Sequence, residues 1–182
     1  MKGFFNRLLR IDLTDQTYTY ETFSDDILKK TLGGKGLGAH LLLNENPVGV
    51  DPLAPENIFA IVTGPVTGTK VWSQSRFGVF SKSPLTSGYG ESYCGGSVAP
   101  KIKGCGVDAM IITGKSEQLT YLVINEEGVT FNSAEAIKGK ETVESETYIL
   151  ENAPKKAGAI VIGPAGENLV RFACVKSDRS RS

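Results

Sequence analysis

The amino-terminal residues carry apolar and polar side chains in a pattern that predicts a β-hairpin. Residues 4–13 and 17–23 are rich in aromatic and β-branched residues, and the polar residues 14–16 separate them as a short turn. A second hairpin is predicted where residues 120–125 and 129–131 flank another turn. The chain is therefore predicted to begin with antiparallel β structure and to contain a second β-hairpin later.

Start and stop signals for helices follow the first hairpin. Ser24 is an N-cap candidate for a helix over residues 25–32, and Gly33 and Gly34 are placed to end that helix. A second helix is predicted over residues 37–44, which end shortly before a proline. Gly95, Gly96 and Ser97 are predicted to open a further helix that runs to about residue 103, and another helix is predicted at residues 142–151.

Short continuous apolar runs predict buried strands. These runs lie at residues 58–63, 108–114 and 159–162. Two further strands are predicted at residues 76–81 and 170–175. Residues 83–93 are predicted to form a loop that leads into another short strand, and residues 163–169 a turn. The order of hairpin, helix and buried strand occurs twice, which indicates an internal duplication. The mixture of hairpins and helices favours an α+β fold over a doubly wound parallel sheet.

The stretch from residue 64 to residue 96 is crowded with Gly, Ser and Thr, and its cations are Lys70, Arg76 and Lys82. Gly lets a backbone approach a ligand closely, and a guanidinium suits phosphate or another anion. Tight turns between strands have the same composition, so the residues alone leave both interpretations open. The segment GPVTGTK is not a P-loop, because its glycines have the wrong spacing and Lys70 follows Thr69.

Charge and cysteine content narrow the class of protein. Twenty basic and twenty acidic residues cancel, which leaves no long-range field to attract nucleic acid or a membrane surface. No stretch has the length of a membrane span or the core of a signal peptide, so we expect a soluble cytoplasmic protein. Three scattered cysteines form no CxxC pair, and His40 is the single histidine. This inventory disfavours a zinc ribbon, a usual iron–sulfur motif and histidine catalysis within the chain.

Five segments resemble, in order and spacing, the amino-terminal domain of the aldehyde ferredoxin oxidoreductase family. They are GFFNRLLRIDLTDQTYTYE, LGGKGLGAHLL, VDPLAPEN followed by GPVTGT, RFGVFSKSPLTSGYGESYCGG, and IGPAGENLVRFACV. Each segment alone is a weak signal, whereas the ordered set is specific, particularly SPLT with the later GPAGENLVRFA. The resemblance covers essentially the whole chain.

The resemblance implies a tungsten or molybdenum enzyme whose metal is held by two pterin dithiolenes close to a [4Fe-4S] cluster. Members of the family oxidise aldehydes or related compounds to carboxylic acids and pass the electrons to ferredoxin. The implied partners are therefore ferredoxin and a small-molecule aldehyde, with a homodimer as a further expectation. Neither nucleic acid nor a membrane is an expected partner.

The resemblance also implies roles for individual residues. Arg76 occupies the position of an arginine that contacts the pterin cofactor, and Gly95 that of a glycine which the cofactor approaches closely at the start of a helix. Tyr93 matches a position, often asparagine, whose backbone carbonyl binds the magnesium ion that bridges the pterin phosphates. Arg181 and Ser182 match the start of a second cofactor loop, with the Ser182 carbonyl as the other magnesium ligand.

Domain organisation follows from the same resemblance. Residues 1–182 are expected to form a single amino-terminal cofactor-binding domain of a longer enzyme, built as two packed mixed or antiparallel sheets with flanking helices and a pseudo-twofold relation. The cluster cysteines would then come from later, helical domains, and the isolated chain would be inactive. The alternative is a stand-alone domain that binds a nucleotide or another phosphorylated ligand, or an assembly module without redox chemistry.

Overall fold

A six-stranded mixed sheet forms the centre of the computed structural model, which describes residues 1–179 and 181. Its strands are β1 (Arg7–Asp12), β2 (Thr17–Thr22), β3 (Phe59–Thr63), β4 (Arg76–Lys82), β5 (Tyr89–Gly95) and β6 (Ala109–Thr113). They lie in the order β2-β1-β6-β3-β4-β5. The pair β1–β6 is parallel and the other neighbours are antiparallel. Strand β5 is therefore an edge strand.

Five helices and two small sheets surround this sheet. The helices are α1 (Asp25–Thr31), α2 (Gly34–Glu45), α3 (Val98–Gly104), α4 (Thr142–Asn152) and α5 (Pro164–Glu167), with a 3-10 turn at Glu135–Ile137. Strands β7 (Thr120–Ile124) and β8 (Val129–Ser133) form one two-stranded antiparallel sheet. Strands β9 (Ile160–Val161) and β10 (Lys176–Ser177) form the other.

The two faces of the central sheet carry separate apolar clusters, because successive side chains of a strand point to opposite faces. The cluster that packs with α1 and α2 includes Leu8, Leu28, Leu37, Leu41, Val62 and Phe80. The cluster on the other face includes Leu9, Ile61, Phe77, Cys94, Val98 and Met110, with side chains of β7, β8 and Ile160 against it. A strand of this sheet is thus buried on both faces wherever helices and hairpin cover it.

The α+β class predicted from the sequence is confirmed. Ser24 caps α1 as predicted, its hydroxyl accepting from the Ile27 amide at 3.3 Å. The hairpin, helix and buried strand do recur, but with unequal sheets: the first hairpin joins the six-stranded sheet, whereas β7 and β8 pair only with each other.

Three local predictions were wrong. The segment predicted as a loop with a short strand after it contains β5, which pairs with β4 along seven residues. Residues 170–175 form no strand; they begin with turns in which the Val170 amide donates to the Ala165 carbonyl and the Ala173 amide to the Val170 carbonyl. The turn predicted at residues 163–169 contains the short helix α5, because Pro164 is pre-set for the first helical turn.

Candidate functional site

The start of β4 and the end of β5 bring Arg76 and Gly95 together. The two residues are direct cross-strand partners in the antiparallel ladder. Arg76 is exposed, and its partner across the ladder has no side chain. No side chain of the directly paired residue on β5 therefore stands opposite Arg76 at this end of the ladder.

Arg181 reaches the same place from the far end of the chain. A Cβ atom built on Gly95 would lie 3.6 Å from Arg181 Nη1, and one built on Gly96 would lie 3.0 Å from Arg181 Nε. The Arg181 guanidinium and the backbone of Arg76 thus both lie beside Gly95 at the end of β5. Guanidinium groups carry several donors and keep their charge at all ordinary pH values, which suits a polyanionic ligand.

Gly95 and Gly96 are adjacent but have different surroundings. A Cβ on Gly95 would make only ordinary contacts, with the Ser75 carbonyl at 3.5 Å and with Arg181. Gly96 has φ +111°, and a Cβ there would overlap Asp178 Oδ2 and lie 2.8 Å from Arg181 Cδ. The packing of the chain itself therefore explains Gly96, whereas at Gly95 a Cβ would fit without displacing a neighbour.

Tyr93 lies two residues before Gly95, on the same face of β5. Its ring stands edge-on to Phe80 with ring centroids 6.0 Å apart, and its hydroxyl donates to Glu91 Oε2 at 3.3 Å. The role predicted for Tyr93 belongs to its main-chain carbonyl, which these side-chain contacts leave untested. Ser182, the second predicted carbonyl ligand, lies outside the described residues.

A polar network links α2 to β5 beside this site. Lys35 Nζ lies 2.7 Å from Glu91 Oε1, and the Tyr89 hydroxyl donates to Glu91 Oε2 at 2.8 Å. The hydrogen bond from Lys35 is the largest cause of the lowered pKa of Glu91, and the hydrogen bond from Tyr89 is the next. Desolvation is the largest cause of the raised pKa of Tyr89, and its hydrogen bond with the Glu91 carboxylate is the next. Sequence reasoning missed this network; the signal was Tyr-x-Glu-x-Tyr, which places three polar groups on one face of a strand.

The remaining candidates for chemistry are engaged in packing. Cys94 is buried, with its Sγ 3.1 Å from Ser177 Oγ. His40 Nδ1 lies 3.2 Å from Asn44 Nδ2 on α2. In the described part of the chain, no three His, Cys, Asp or Glu side chains are arranged to hold a metal ion. Among the same residues, no helix combines the length and apolar character needed to cross a membrane.

Comparison with known proteins identifies the class to which this fold and site belong. The family described as "Aldehyde ferredoxin oxidoreductase, N-terminal domain" matches residues 8–182. A tungsten-containing aldehyde ferredoxin oxidoreductase of Pyrococcus abyssi is 41% identical over 183 residues, which cover 100% of this chain and 30% of that protein. The chain belongs to the aldehyde ferredoxin oxidoreductase family and corresponds to its amino-terminal domain.

Other relatives show that this domain occurs in oxidoreductases with different names. The WOR-like subunit of an aliphatic sulfonate oxidoreductase from Pyrococcus furiosus is 34% identical and covers 96% of this chain and 30% of that protein. The solved active-site complex BamBC of benzoyl coenzyme A reductase, with bound 1,5-dienoyl-CoA, superposes with a TM-score of 0.94 at 34% identity, covering 99% of this chain and 28% of that one. The chain thus spans about 30% of the length of the curated relatives.

Proposed function

We propose that the surface formed by Arg76, Gly95 and Arg181 binds a tungsten or molybdenum bis-pterin cofactor. The observation that carries this proposal is the position of Gly95, with Arg76 as its cross-strand partner and the Arg181 guanidinium beside it. Charge-assisted hydrogen bonds from arginine suit phosphate oxygens, and a missing Cβ permits close approach. The names of the relatives favour tungsten over molybdenum.

The residues of the chain fit such a cofactor by the chemistry of their donors. Arg76 and Arg181 would supply positive charge, and the Tyr93 and Ser182 carbonyls would supply oxygen ligands of the kind that a magnesium ion prefers. The amide of Ser97, the residue before α3, is not free for a phosphate, because it already donates to Asp178 Oδ2 at 2.7 Å. When bound, the metal centre supplies the oxidation–reduction chemistry, and the part of this chain is to hold and orient it.

The full-length protein, in this proposal, oxidises an aldehyde to a carboxylic acid with ferredoxin as electron acceptor. Because the chain spans about 30% of its relatives, we assign the [4Fe-4S] cluster, the substrate cavity and the ferredoxin contact to the remainder of the protein. Residues 1–182 then act as one cofactor-binding domain that is inactive alone. A cytoplasmic location and a homodimer complete the proposal.

The test compares the 182-residue chain with the full-length protein. Both are expressed with tungstate or molybdate, tungsten, molybdenum and iron are measured, and aldehyde-dependent dye reduction is assayed. We expect metal and activity in the full-length protein and neither in the 182-residue chain. A full-length protein that is folded but free of metal and inactive would contradict the proposal.

A further inference from the structure

The turn that carries Arg181 has a backbone conformation that requires outside support. Ser177 and Arg181 exchange two backbone hydrogen bonds, of 2.8 and 2.9 Å. Between them, Asp178 and Arg179 both have positive φ angles, of 47° and 64°. Residues other than glycine adopt this region at a cost, so the turn keeps its shape only where neighbouring groups hold it.

Asp178 ties this turn to the start of α3. Its two carboxylate oxygens accept from the same residue, Oδ2 from the Ser97 amide at 2.7 Å and Oδ1 from the Ser97 hydroxyl at 2.6 Å. Gly96 makes the approach feasible, because a Cβ there would overlap Asp178 Oδ2. The same missing Cβ leaves the space that the aliphatic part of Arg181 occupies.

A second carboxylate holds the turn from another direction. Glu146 of α4 is only 4% exposed, and its Oε2 accepts from the Arg179 amide at 2.7 Å. Ser177 adds a third contact, between its hydroxyl and Cys94 Sγ. Three consecutive residues of the turn therefore contact three different elements, namely β5, the start of α3 and α4.

We propose that Asp178 and Glu146 are positioning residues that fix Arg181 against Gly95 and Gly96, so that Arg181 and Arg76 form one cationic surface before any ligand arrives. Neither carboxylate touches the ligand; each acts by holding the backbone of the turn. The inference rests on the proposed function in one respect, namely that this cationic surface receives the cofactor. A surface that is ordered before binding binds more tightly, because no further conformational entropy of the turn is lost when the ligand binds.

The first experiment measures amide hydrogen exchange at residues 177–181 in the 182-residue chain without cofactor. Asp178→Ala should raise exchange at the Ser177 and Arg181 amides by about tenfold or more, because local opening becomes easier. Asp178→Asn should stay within about twofold of the unmodified chain, since an amide both accepts from the Ser97 amide and donates to its hydroxyl. Glu146→Ala and Glu146→Gln should differ in the same way at the Arg179 amide.

Asp26→Ala is the matched control for loss of a carboxylate, because the Asp26 side chain is 95% exposed on α1 and its ion pair with Lys29 spans 3.8 Å. It should leave exchange in the turn unchanged. Unchanged exchange in both Asp178→Ala and Glu146→Ala would overturn the inference. So would equal effects of Asp178→Asn and Asp178→Ala, because the hydrogen-bond geometry would then not be what holds the turn.

The second experiment measures tungsten per polypeptide in the full-length protein. Asp178→Ala should lower it in the same direction as Arg181→Ala, and Asp178→Asn should restore it. A loss of tungsten with Arg181→Ala but not with Asp178→Ala would overturn the positioning role of Asp178 while leaving the proposed function intact. No loss with either Arg181→Ala or Arg76→Ala would count against the proposed function, and the exchange data would still decide whether the carboxylates hold the turn.

Discussion

Gly38 on α2 and Gly95 on β5 differ in what surrounds them, and the difference separates packing from binding. A Cβ on Gly38 would lie 2.6 Å from Phe80 Cγ, in the buried contact between α2 and the sheet. A Cβ on Gly95 would meet nothing closer than 3.5 Å. The fold itself thus requires a glycine at position 38, whereas position 95 has room that the fold does not use.

This contrast shows why glycine content alone is a poor guide to a ligand site. The interface of α2 with the sheet contains glycine because a helix must come close to a ring that is 0% exposed. The end of β5 contains a glycine that faces Arg76 across the ladder. Only the second kind would accept a Cβ without displacing a neighbour, and the distance to the nearest atom tells the two kinds apart.

The largest expected loss of stability is at Gly38, the glycine that packs against Phe80. Gly38→Ala should lower the free energy of unfolding by about 2–3 kcal/mol, because the new methyl group overlaps a buried ring that cannot move away. Urea or guanidinium unfolding followed by circular dichroism measures the change.

Gly104→Ala is the control for Gly38→Ala. A Cβ at Gly104, at the end of α3, has nothing within 4 Å. Its free energy of unfolding should change little or rise by up to about 1 kcal/mol, because alanine has the higher helix propensity. If the two variants were equally stable, the close contact between Gly38 and Phe80 would not exist in solution.

A smaller loss of stability is expected at Gly96, between the large loss at Gly38 and the small change at Gly95. Gly96→Ala should lower the free energy of unfolding by about 1–2 kcal/mol, because the residue has a positive φ and the new methyl group displaces the Asp178 carboxylate. The Asp178 carboxylate is half-exposed, so water can solvate it when it is displaced, whereas the Phe80 ring is fully buried; this loss should therefore be smaller than that for Gly38→Ala. Denaturant unfolding at constant pH provides the measurement.

Gly95→Ala is the matched neighbour and should stay within about 0.5 kcal/mol of the unmodified chain. Equal losses of stability at positions 95 and 96 would show that Gly95 is also needed for packing. The distinction between a glycine kept for the fold and one left open for a ligand would then fail at this site.

Local signals in the sequence predicted the elements well, and long-range contacts escaped them. The Ser24 cap and both hairpins depend on residues close together in the chain, and both predictions were confirmed. Strand β5 was missed over most of its length because an edge strand with exposed side chains has little apolar signal. The apolar residues near 170 suggested a strand, but turns there bring Ser177 and Asp178 to their partners.

The resemblance predicted which residues form the candidate site, and their role toward the cofactor stays a prediction. The resemblance named Arg76, Gly95 and Arg181, and the structure brings these three together. Asp178, Glu146 and the Lys35–Glu91 pair were not foreseen, since each acts through a partner more than a few residues away and composition carries no sign of such pairing.

The central claim, that the start of β4 and the end of β5 hold the cofactor, is tested most directly by tungsten and pterin content in full-length Arg76→Gln. Arg76 is exposed, so its loss should leave the free energy of unfolding within about 0.5 kcal/mol of the parent. Lys115→Gln is the control for the change in charge, because Lys115 is exposed beyond the opposite end of the sheet, where its amide donates to Thr14 Oγ1 at 2.9 Å. We predict about tenfold weaker cofactor retention in Arg76→Gln, from the loss of charge-assisted hydrogen bonds, and no change in Lys115→Gln. Equal tungsten and pterin content in the two variants would contradict the claim.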